Sequence, residues 1–332
     1  MKKKKYLITG SAGFVSKYFL HYLKSLKKHS SVLGLDMDLP AYKKNELNYL
    51  DVVFKRVNLL DDKKVAKIID DLRPDYILHL ASCSSVAYSW QYPNVSFQNN
   101  TNIFLNIVEA VRNCGVKTRI LSVGSSEEYG NVHMNKAPIT EECRLLPISP
   151  YAVARVAQEM LSRVYAESFG LDIIMTRSFN HIGPGQKDAF VVSSLVKQIV
   201  KSKQEHKSRV IIKAGDISIV RDFLDVRDVV RAYYLLLING VKGETYNVCG
   251  GRGYSISDLI DRISKIIGLP ITVEQDPKLI RPNDNKIIVG SNEKLKKELG
   301  WAQEIEINDT LRDMIDYWET AIGPEFSRVE RS

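Results

Sequence analysis

TGSAGFVSKYF, residues 9–19, decides the fold, because it joins an apolar run to an amphipathic run through a glycine-rich turn. The preceding KKYLI has the short apolar character of a strand, and FVSKYFLHYLKSL has the apolar spacing of a helix. Gly10 can make the tight turn and Gly13 allows the backbone to approach a phosphate, while the first turn of the helix offers free N–H groups to the anion. We therefore predict a pyrophosphate site at Gly10, Ala12, Gly13, Phe14 and Val15.

The alternation of strand and helix patterns continues through the first half of the chain. Apolar runs such as SVLGLD, DYILHLA, TRILSVGS and DIIMTRSFN alternate with amphipathic runs, the longest of which covers Tyr151–Phe169. Strands that are continuous apolar runs belong to parallel sheets with helices on both faces. We therefore predict an α/β fold, with a doubly wound parallel sheet that occupies residues 1–180.

The pattern changes beyond residue 180, where the loops lengthen and become rich in glycine, proline and arginine. Apolar periodicity still predicts helices, over 191–203, 225–239, 257–267, 293–299 and 308–322. Residues 181–332 are therefore expected to form a smaller α/β lobe, interleaved with the first domain. Such a lobe would lie over the carboxyl ends of the strands, where ligands bind in this class of fold.

A carboxylate at the end of the second strand bears on the choice of dinucleotide. Asp36 lies roughly twenty residues beyond the turn, where it would accept hydrogen bonds from the adenosine ribose and repel the 2′-phosphate of NADP. The sequence therefore favours NAD over NADP, unless Asp36 or Asp38 only caps the loop. Asn58 and Leu59, after the third strand, are candidates for the adenine edge. Ser16 replaces the third glycine of the usual fingerprint, and it is small enough for close helix packing.

Composition and charge narrow the classes of function. The chain has 332 residues and a formal net charge of +8, which favours a phosphate-bearing substrate, but its lysines are dispersed and we expect no binding to nucleic acid. No apolar run is long enough to span a membrane and MKKKKYLITG lacks the apolar core of a signal peptide, so we expect a cytoplasmic protein. The four cysteines and six histidines lack metal or redox spacing, which predicts free, buried thiols and no metal site.

Further motifs join the turn: LHLAS at 78–82, SSEEYG at 125–130, and Tyr151-x-x-x-Arg155. With them the chain resembles, over nearly its whole length, the extended short-chain dehydrogenase/reductases, Rossmann-type enzymes that epimerise, dehydrate or reduce nucleotide sugars. The likeness is greatest to the GDP-4-keto-6-deoxy-D-mannose reductases and GDP-mannose 4,6-dehydratases, which implies a GDP-sugar as substrate. The resemblance also implies that the loop after the fourth strand lines the cofactor, with Leu80, Ala81 and Ser82.

The resemblance assigns the chemistry to Ser125, Tyr151 and Arg155. In these enzymes the tyrosine exchanges a proton with the sugar, the serine or threonine hydrogen-bonds the reacting oxygen, and a lysine one helical turn after the tyrosine holds the cofactor. Arg155 takes the position of that lysine; it keeps the charge and shares the helix face of Tyr151, but its planar group is larger. We expect an active enzyme, slower or retuned, with a non-catalytic NAD-binding sensor as the alternative.

Glu127 leaves the type of reaction open. A glutamate two residues after the serine or threonine serves the elimination step of dehydratases, yet reductase-like SSEEYG also has it, and Glu127 could be purely structural while Glu128 faces away. A C4 reductase is therefore the leading prediction, and a 4,6-dehydratase or a C4 epimerase is the alternative.

The substrate contacts that the resemblance implies lie mostly in the second lobe. Asn180 and Ser126 are expected near the sugar diphosphate, and Lys197 is a further candidate for a phosphate contact. Guanidinium groups bind phosphate through two parallel hydrogen bonds, so Arg221 and Arg281 are expected to clamp the diphosphate. Either arginine could instead pair with the neighbouring Asp222 or Asp284.

Analogy with the family also predicts a homodimer or homotetramer. In relatives the helix after SFQNN and the tyrosine helix form a four-helix interface between subunits. VAQEMLSRVYAESF has apolar residues at the spacing of one helix face, which suits a core or a partner equally well.

Overall fold

The central sheet is built from the strands that the apolar runs predict. The computed structural model describes residues 3–40, 47–131, 138–205, 209–280 and 285–323. The sheet strands in these ranges are β1 Lys4–Thr9, β2 Ser30–Asp36, β3 Leu50–Arg56, β4 Tyr76–His79, β5 Arg119–Ser125, β6 Asp172–Ser178 and β10 Thr245–Val248. They pair in the order β10-β6-β5-β4-β1-β2-β3, and every pair is parallel. The prediction of an α/β fold with a parallel sheet is confirmed.

Helices cover both faces of this sheet. One face carries α2 Asp62–Leu72, α4 Pro93–Asn113 and α5 Pro150–Glu167, and the other carries α1 Phe14–Ser25 and α7 Val226–Asn239. Phe104 and Val108 of α4 are fully buried on the first face, as are Phe19 of α1 and Tyr233 of α7 on the second. Each large apolar side chain buried in this way contributes about 1.5–3 kcal/mol to stability relative to its exposed state. The short helix α3 Val86–Gln91 leads into α4.

The order in which successive strands join the sheet reverses at β1. The chain proceeds from β1 to β2 and β3 on one side, and then crosses to β4 and β5 on the other. The crevice beyond the carboxyl ends of β1 and β4 is the place where folds of this type bind ligands. The glycine turn follows β1 and the SSEEYG segment follows β5, so both predicted motifs open on the same edge of the sheet.

Residues beyond 180 build two smaller sheets and their own apolar core. One sheet contains β7 Asn180–Ile182, β9 Val220–Asp225, β11 Gly253–Ser255 and β13 Ile287–Ile288, and the other pairs β8 Val210–Ala214 with β12 Ile271–Gln275. The helices are α6 Val191–Glu205, α8 Ile256–Ile267, α9 Glu293–Leu299 and α10 Ile307–Ile322, whose bounds lie within two residues of the predicted ones. Both β10 and α7 also lie beyond residue 180, but they complete the layers of the first sheet.

The burial of the cysteines and the character of the helices bear on the predicted buried thiols and on membrane spanning. All four cysteines are free thiols, but only Cys249 is fully buried, whereas the other three are half-buried. None of the helices in the described ranges combines the length and the apolar character needed to cross a lipid bilayer.

Candidate active site

The glycine turn packs directly against the loop that follows β4. Gly10 has a φ of +72°, and a Cβ added to it would lie 2.8 Å from the backbone nitrogen of Ala81 and 2.9 Å from the carbonyl carbon of Leu80. Gly10 N also donates to the carbonyl oxygen of Leu35 at 2.9 Å. Glycine is required at this position by its backbone conformation and by the lack of space. The contact brings Leu80 and Ala81, two of the predicted cofactor residues, against the turn; Ser82 follows them in the same loop.

The start of α1 fits an anion. The helix begins at Phe14, and its N-cap is Gly13, which has no side chain to occupy the N–H groups of the first turn. Val15 and Phe14 are half-buried beside it, and Ser16 is fully buried, so a serine does fit where the third glycine of the fingerprint would stand. Uncapped N–H groups and the positive end of a helix dipole are groups that can bind a pyrophosphate.

Asp36 lies over the same turn. Its Oδ2 accepts a hydrogen bond from Ala12 N at 2.9 Å, and its Oδ1 accepts one from Asp38 N at 3.3 Å. A carboxylate has about four acceptor positions, so Asp36 retains acceptors for the hydroxyls of a ribose. Asn58 caps its own loop by accepting from Leu60 N at 3.0 Å, and Leu59 is buried. The turn, the helix start and Asp36 together fit a dinucleotide, and a bound nicotinamide would accept or supply a hydride at this edge.

Tyr151 and Arg155 meet one turn apart on α5. Arg155 Nε donates to the Tyr151 hydroxyl at 3.2 Å, and the guanidinium lies 5.3 Å from the centroid of the tyrosine ring. Arg155 Nη1 donates to the carbonyl oxygen of Val123 at 3.0 Å and to Gln158 Oε1 at 2.7 Å. Gln158 is held in turn by Ser122, whose hydroxyl accepts from Gln158 Nε2 at 2.9 Å. The arginine is therefore buried and fixed by three acceptors, with its charge against the phenol.

Ser125 ends β5 with its hydroxyl at the start of the 3₁₀ helix Ser126–Tyr129. Its Oγ accepts a hydrogen bond from Glu127 N at 3.2 Å, which leaves the hydroxyl proton to be donated elsewhere. Ser126 is buried and Glu127 is half-buried in the first turn of this helix. Glu128 is fully buried, and its Oε1 accepts from Ser125 N at 2.7 Å.

Sequence reasoning missed two residues that support this site. Gln158 follows Arg155 by three positions and therefore shares its helix face, which is the signal that could have identified it. His79 is fully buried at the end of β4, with its Nδ1 2.9 Å from the Thr9 hydroxyl, which also accepts from Ala81 N. Burial, and to a lesser degree the charge of Arg155, lower the pKa of His79 to about 3, so this histidine is neutral.

Apart from Ser126 in the 3₁₀ helix after β5, the predicted substrate residues are dispersed over the chain from residue 180 onward. Asn180 begins β7 and is half-buried, and Arg221 lies buried in β9, where its Nη1 donates to the carbonyl oxygens of Val220 and Asn285. Lys197 forms an ion pair with Asp188 at 2.6 Å and lies over the ring of Trp318, so its charge already has a partner. Arg281 and Asp284 lie outside the described residues.

Comparisons with known proteins identify the family of the chain. A family model described as GDP-mannose 4,6 dehydratase matches residues 7–314. The GDP-6-deoxy-D-mannose reductase of Pseudomonas aeruginosa is 33% identical over 318 residues, which cover 96% of this chain and 98% of that protein.

Solved structures extend the likeness to the fold. The structure of RMD from Pseudomonas aeruginosa complexed with NADPH has a TM-score of 0.81 at 32% identity and covers 96% of this chain and 98% of that chain. UDP-glucose 4-epimerase of Thermotoga maritima, solved with UDP-glucose, has a TM-score of 0.85 at 27% identity over 96% of this chain and all of that one. These matches confirm the resemblance predicted from the motifs: the chain belongs to the GDP-mannose 4,6-dehydratase family.

Proposed function

We propose that this protein is a nucleotide-sugar reductase that converts a GDP-4-keto-6-deoxy-hexose to the 4-hydroxy sugar with a nicotinamide dinucleotide as cofactor. The observation that supports this most directly is the hydrogen bond from Arg155 to the Tyr151 hydroxyl. It sets a buried cation against a phenol that could give its proton to a sugar. The 33% identity to a GDP-6-deoxy-D-mannose reductase supports the choice of substrate and reaction.

The residues of this chain divide the proton chemistry among them. Tyr151 gives its phenolic proton to the carbonyl oxygen at C4, and Ser125 donates a hydrogen bond to the same oxygen. The positive charge of Arg155 stabilises the phenolate that remains on Tyr151. Because Arg155 is held by Val123 and Gln158 as well, it keeps this position without help from a substrate.

The experiment is mass spectrometry of the sugar nucleotide after incubation with purified protein. A GDP-4-keto-6-deoxy-hexose with NADH should gain two hydrogen atoms, while NADH is consumed in equal amount. Tyr151→Phe should lower kcat by about 10²–10⁴-fold, since it removes the transferred proton. If the keto sugar returns unchanged with either NADH or NADPH, the reductase proposal fails.

We infer that NAD(H) is preferred to NADP(H). The Asp36 carboxylate stands at the turn and would repel a 2′-phosphate, although the related reductase from Pseudomonas aeruginosa was solved with NADPH. Initial rates with the two reduced cofactors test this preference. Asp36→Asn should narrow the difference between them, because it removes the charge and keeps the acceptor oxygen.

A 4,6-dehydratase is the second candidate, and the position of Glu127 favours it. Glu127 lies in the turn that Ser125 caps, two positions after this serine, and its residue type could supply the carboxyl group that an elimination needs. Incubation of GDP-mannose with NAD decides the question. Loss of one water without net reduction of NAD would establish the dehydratase, and an unchanged mass would exclude it for that sugar.

Arg155 distinguishes an enzyme from a non-catalytic NAD-binding sensor. If the arginine supports turnover, Arg155→Lys should change the rate by less than about tenfold, because charge is retained while only the donor geometry differs. A protein that binds NAD but turns over no sugar nucleotide, both as wild type and as Arg155→Lys, would support the sensor.

We further propose a homodimer or homotetramer that uses α4 and α5. Val153, Met160 and Val164 form an exposed apolar row on α5, and Phe97 on α4 is exposed as well. An exposed row of this kind is typical of a contact surface between subunits. Light scattering after gel filtration should give a multiple of 37.7 kDa, and Val164→Asp should shift it to the monomer.

A further inference from the structure

Glu128 forms a hydrogen-bonded unit with the proposed catalytic serine. Its Oε1 accepts from Ser125 N at 2.7 Å, while Ser125 Oγ accepts from the first turn of the 3₁₀ helix, so that the two residues form a capping box. This unit fixes the backbone from which the Ser125 hydroxyl projects. The glutamate is fully buried, although glutamate side chains are almost never fully buried unless they are paired.

The surroundings of Glu128 leave its second oxygen without a donor. Within the described ranges no N–H or hydroxyl group donates to Oε2, and the carboxyl group of Glu159 is the neighbour close enough to share a proton with it. Glu159 forms ion pairs with two arginines. Its two oxygens accept from Arg177 at 2.7 and 2.8 Å, and its Oε1 also accepts from Arg163 at 2.9 Å. Two carboxyl groups can share a hydrogen bond only if one of them is protonated.

We propose that Glu128 is a positioning residue for Ser125 that acts as a neutral acid, with its proton held against Glu159. One oxygen accepts from Ser125 N–H, and the other donates its O–H to the Glu159 carboxylate. This inference rests on the proposed function only in so far as Ser125 is the serine that binds the reacting oxygen. The protonation state itself is independent of any substrate.

The charges around the pair assign the proton to Glu128 and not to Glu159. Burial, and then the charge of Glu159, raise the pKa of Glu128 well above its ordinary value of 4.5. Burial acts most strongly against ionised Glu159, but the hydrogen bonds and charge of Arg177, the hydrogen bond from Arg163 and the one from Glu128 together outweigh it and lower the pKa of Glu159. The charged and titratable groups around Glu128 and Glu159 are Arg163 from α5, Arg177 from β6 and Tyr129 from the same 3₁₀ helix as Glu128; Arg177 also donates to the backbone carbonyl of Glu141.

Gly124 shows that the fold makes room for this carboxyl group. A Cβ at Gly124 would lie 2.3 Å from Glu128 Oε1 and 2.5 Å from the carbonyl oxygen of Thr176. The carboxyl group of Glu128 therefore occupies the space that a side chain at position 124 would fill.

Infrared spectroscopy of the whole protein tests the proton directly. The wild type at neutral pH should show the carbonyl stretch of a buried carboxylic acid, and Glu128→Gln should lack it. The glutamine keeps an acceptor for Ser125 N–H and a donor for Glu159, so its rate should stay within about threefold of the wild-type rate. If the band is absent from the wild type, or persists in Glu128→Gln, the proton is not on Glu128 and the proposal is overturned, whether or not a substrate has been found.

Kinetics test the positioning role. Glu128→Leu removes the acceptor for Ser125 N–H and should lower kcat by about ten- to a hundredfold, with little change in KM, because Ser125 is no longer held in place. The ratio of the wild-type rate to the Glu128→Gln rate should fall as the pH rises through the raised pKa of Glu128, where the wild-type acid ionises. A Glu128→Leu protein with wild-type kcat overturns the positioning role, and so does a rate ratio that does not vary with pH.

The matched control is the second capping box, formed by Ser255 and Asp258 at the start of α8. Asp258→Asn changes an acid in the same hydrogen-bonding role, but on the surface. It should alter neither the infrared band nor kcat. A variant of Glu128 that unfolds is replaced by Glu128→Met, which is closer in length and is judged by the same kcat.

Discussion

Two capping boxes in this molecule have the same local hydrogen bonds and opposite electrostatics. In the first, Glu128 Oε1 accepts from Ser125 N at 2.7 Å; in the second, Asp258 Oδ2 accepts from Ser255 N at 2.9 Å. Glu128 is fully buried, and Asp258 is exposed. The pKa of Glu128 is raised, chiefly by burial, and the pKa of Asp258 is lowered, chiefly by the hydrogen bond from Ser255 N.

The difference shows that a motif does not determine the protonation state of its own acid. A backbone N–H that donates to a carboxylate favours the charged form in both boxes. In the surface box the hydrogen bond from Ser255 N prevails, because the exposed carboxylate stays in contact with water and the positive charge of Arg262 also favours its charged form. In the buried box the cost of desolvation and the adjacent Glu159 charge exceed the effect of the hydrogen bond from Ser125 N. The buried box can therefore fix the turn beneath Ser125 with a neutral carboxylic acid, whereas the surface box only begins α8.

The largest expected contrast comes from removal of the two serines. Ser125→Ala should lower kcat by about 10²–10³-fold, since a hydrogen-bond donor to the reacting oxygen is lost. Ser255→Ala should leave kcat unchanged and cost about 0.5–2 kcal/mol in the free energy of unfolding, as expected for an N-cap. Steady-state kinetics and urea unfolding of both variants provide the measurements. Equal effects of the two serines on kcat would contradict the assignment of Ser125 to the active site.

The next largest expected effect is a loss of stability when the space next to Glu128 in the buried box is filled. Gly124→Ala would place a methyl group 2.3 Å from Glu128 Oε1, so it should destabilise the fold by about 1–3 kcal/mol through overpacking. Urea unfolding measures this loss, and Gly124→Ala combined with Glu128→Ala is the control. The double variant should lose less stability than the sum of the single variants, because part of the clash disappears with the carboxyl group. Strict additivity would show that Glu128 does not fill this space.

The sequence predicts the sheet well and the buried box poorly, for a physical reason. Continuous apolar runs and helix caps are local signals, so β1, the glycine turn and α5 appear where the pattern predicts them. The contact between Tyr151 and Arg155 also follows from spacing on one helix. The pairing of Glu128 with Glu159 does not, because thirty-one positions of chain separate them and three different elements meet there. A charged residue in SSEEYG is an exposed residue by default, and only the packing of α5 and β6 makes it a buried acid.

A smaller effect is the dependence of stability on pH. Folding raises the pKa of Glu128, so its contribution to stability is complete below the ordinary value of 4.5 and is lost as the pH rises through the folded pKa. Glu128→Gln cannot ionise, and it should therefore become more stable relative to the wild type with increasing pH. Thermal unfolding of both proteins from acidic to alkaline pH measures the difference. Parallel curves would mean that Glu128 is not neutral in the folded protein.

The smallest effect belongs to the surface box, and its sign is opposite. Folding lowers the pKa of Asp258, so its contribution is complete above the ordinary value of 3.8 and is lost as the pH falls through the folded pKa. Asp258→Asn should therefore lose stability relative to the wild type at neutral pH and approach it in acid. Because Asp258 is exposed and screened by water, we expect less than about 1 kcal/mol at neutral pH. Urea unfolding at neutral and acidic pH measures it. A difference that grows in acid would mean that the surface acid, like the buried one, is protonated in the fold, and burial would then no longer explain why the two boxes differ.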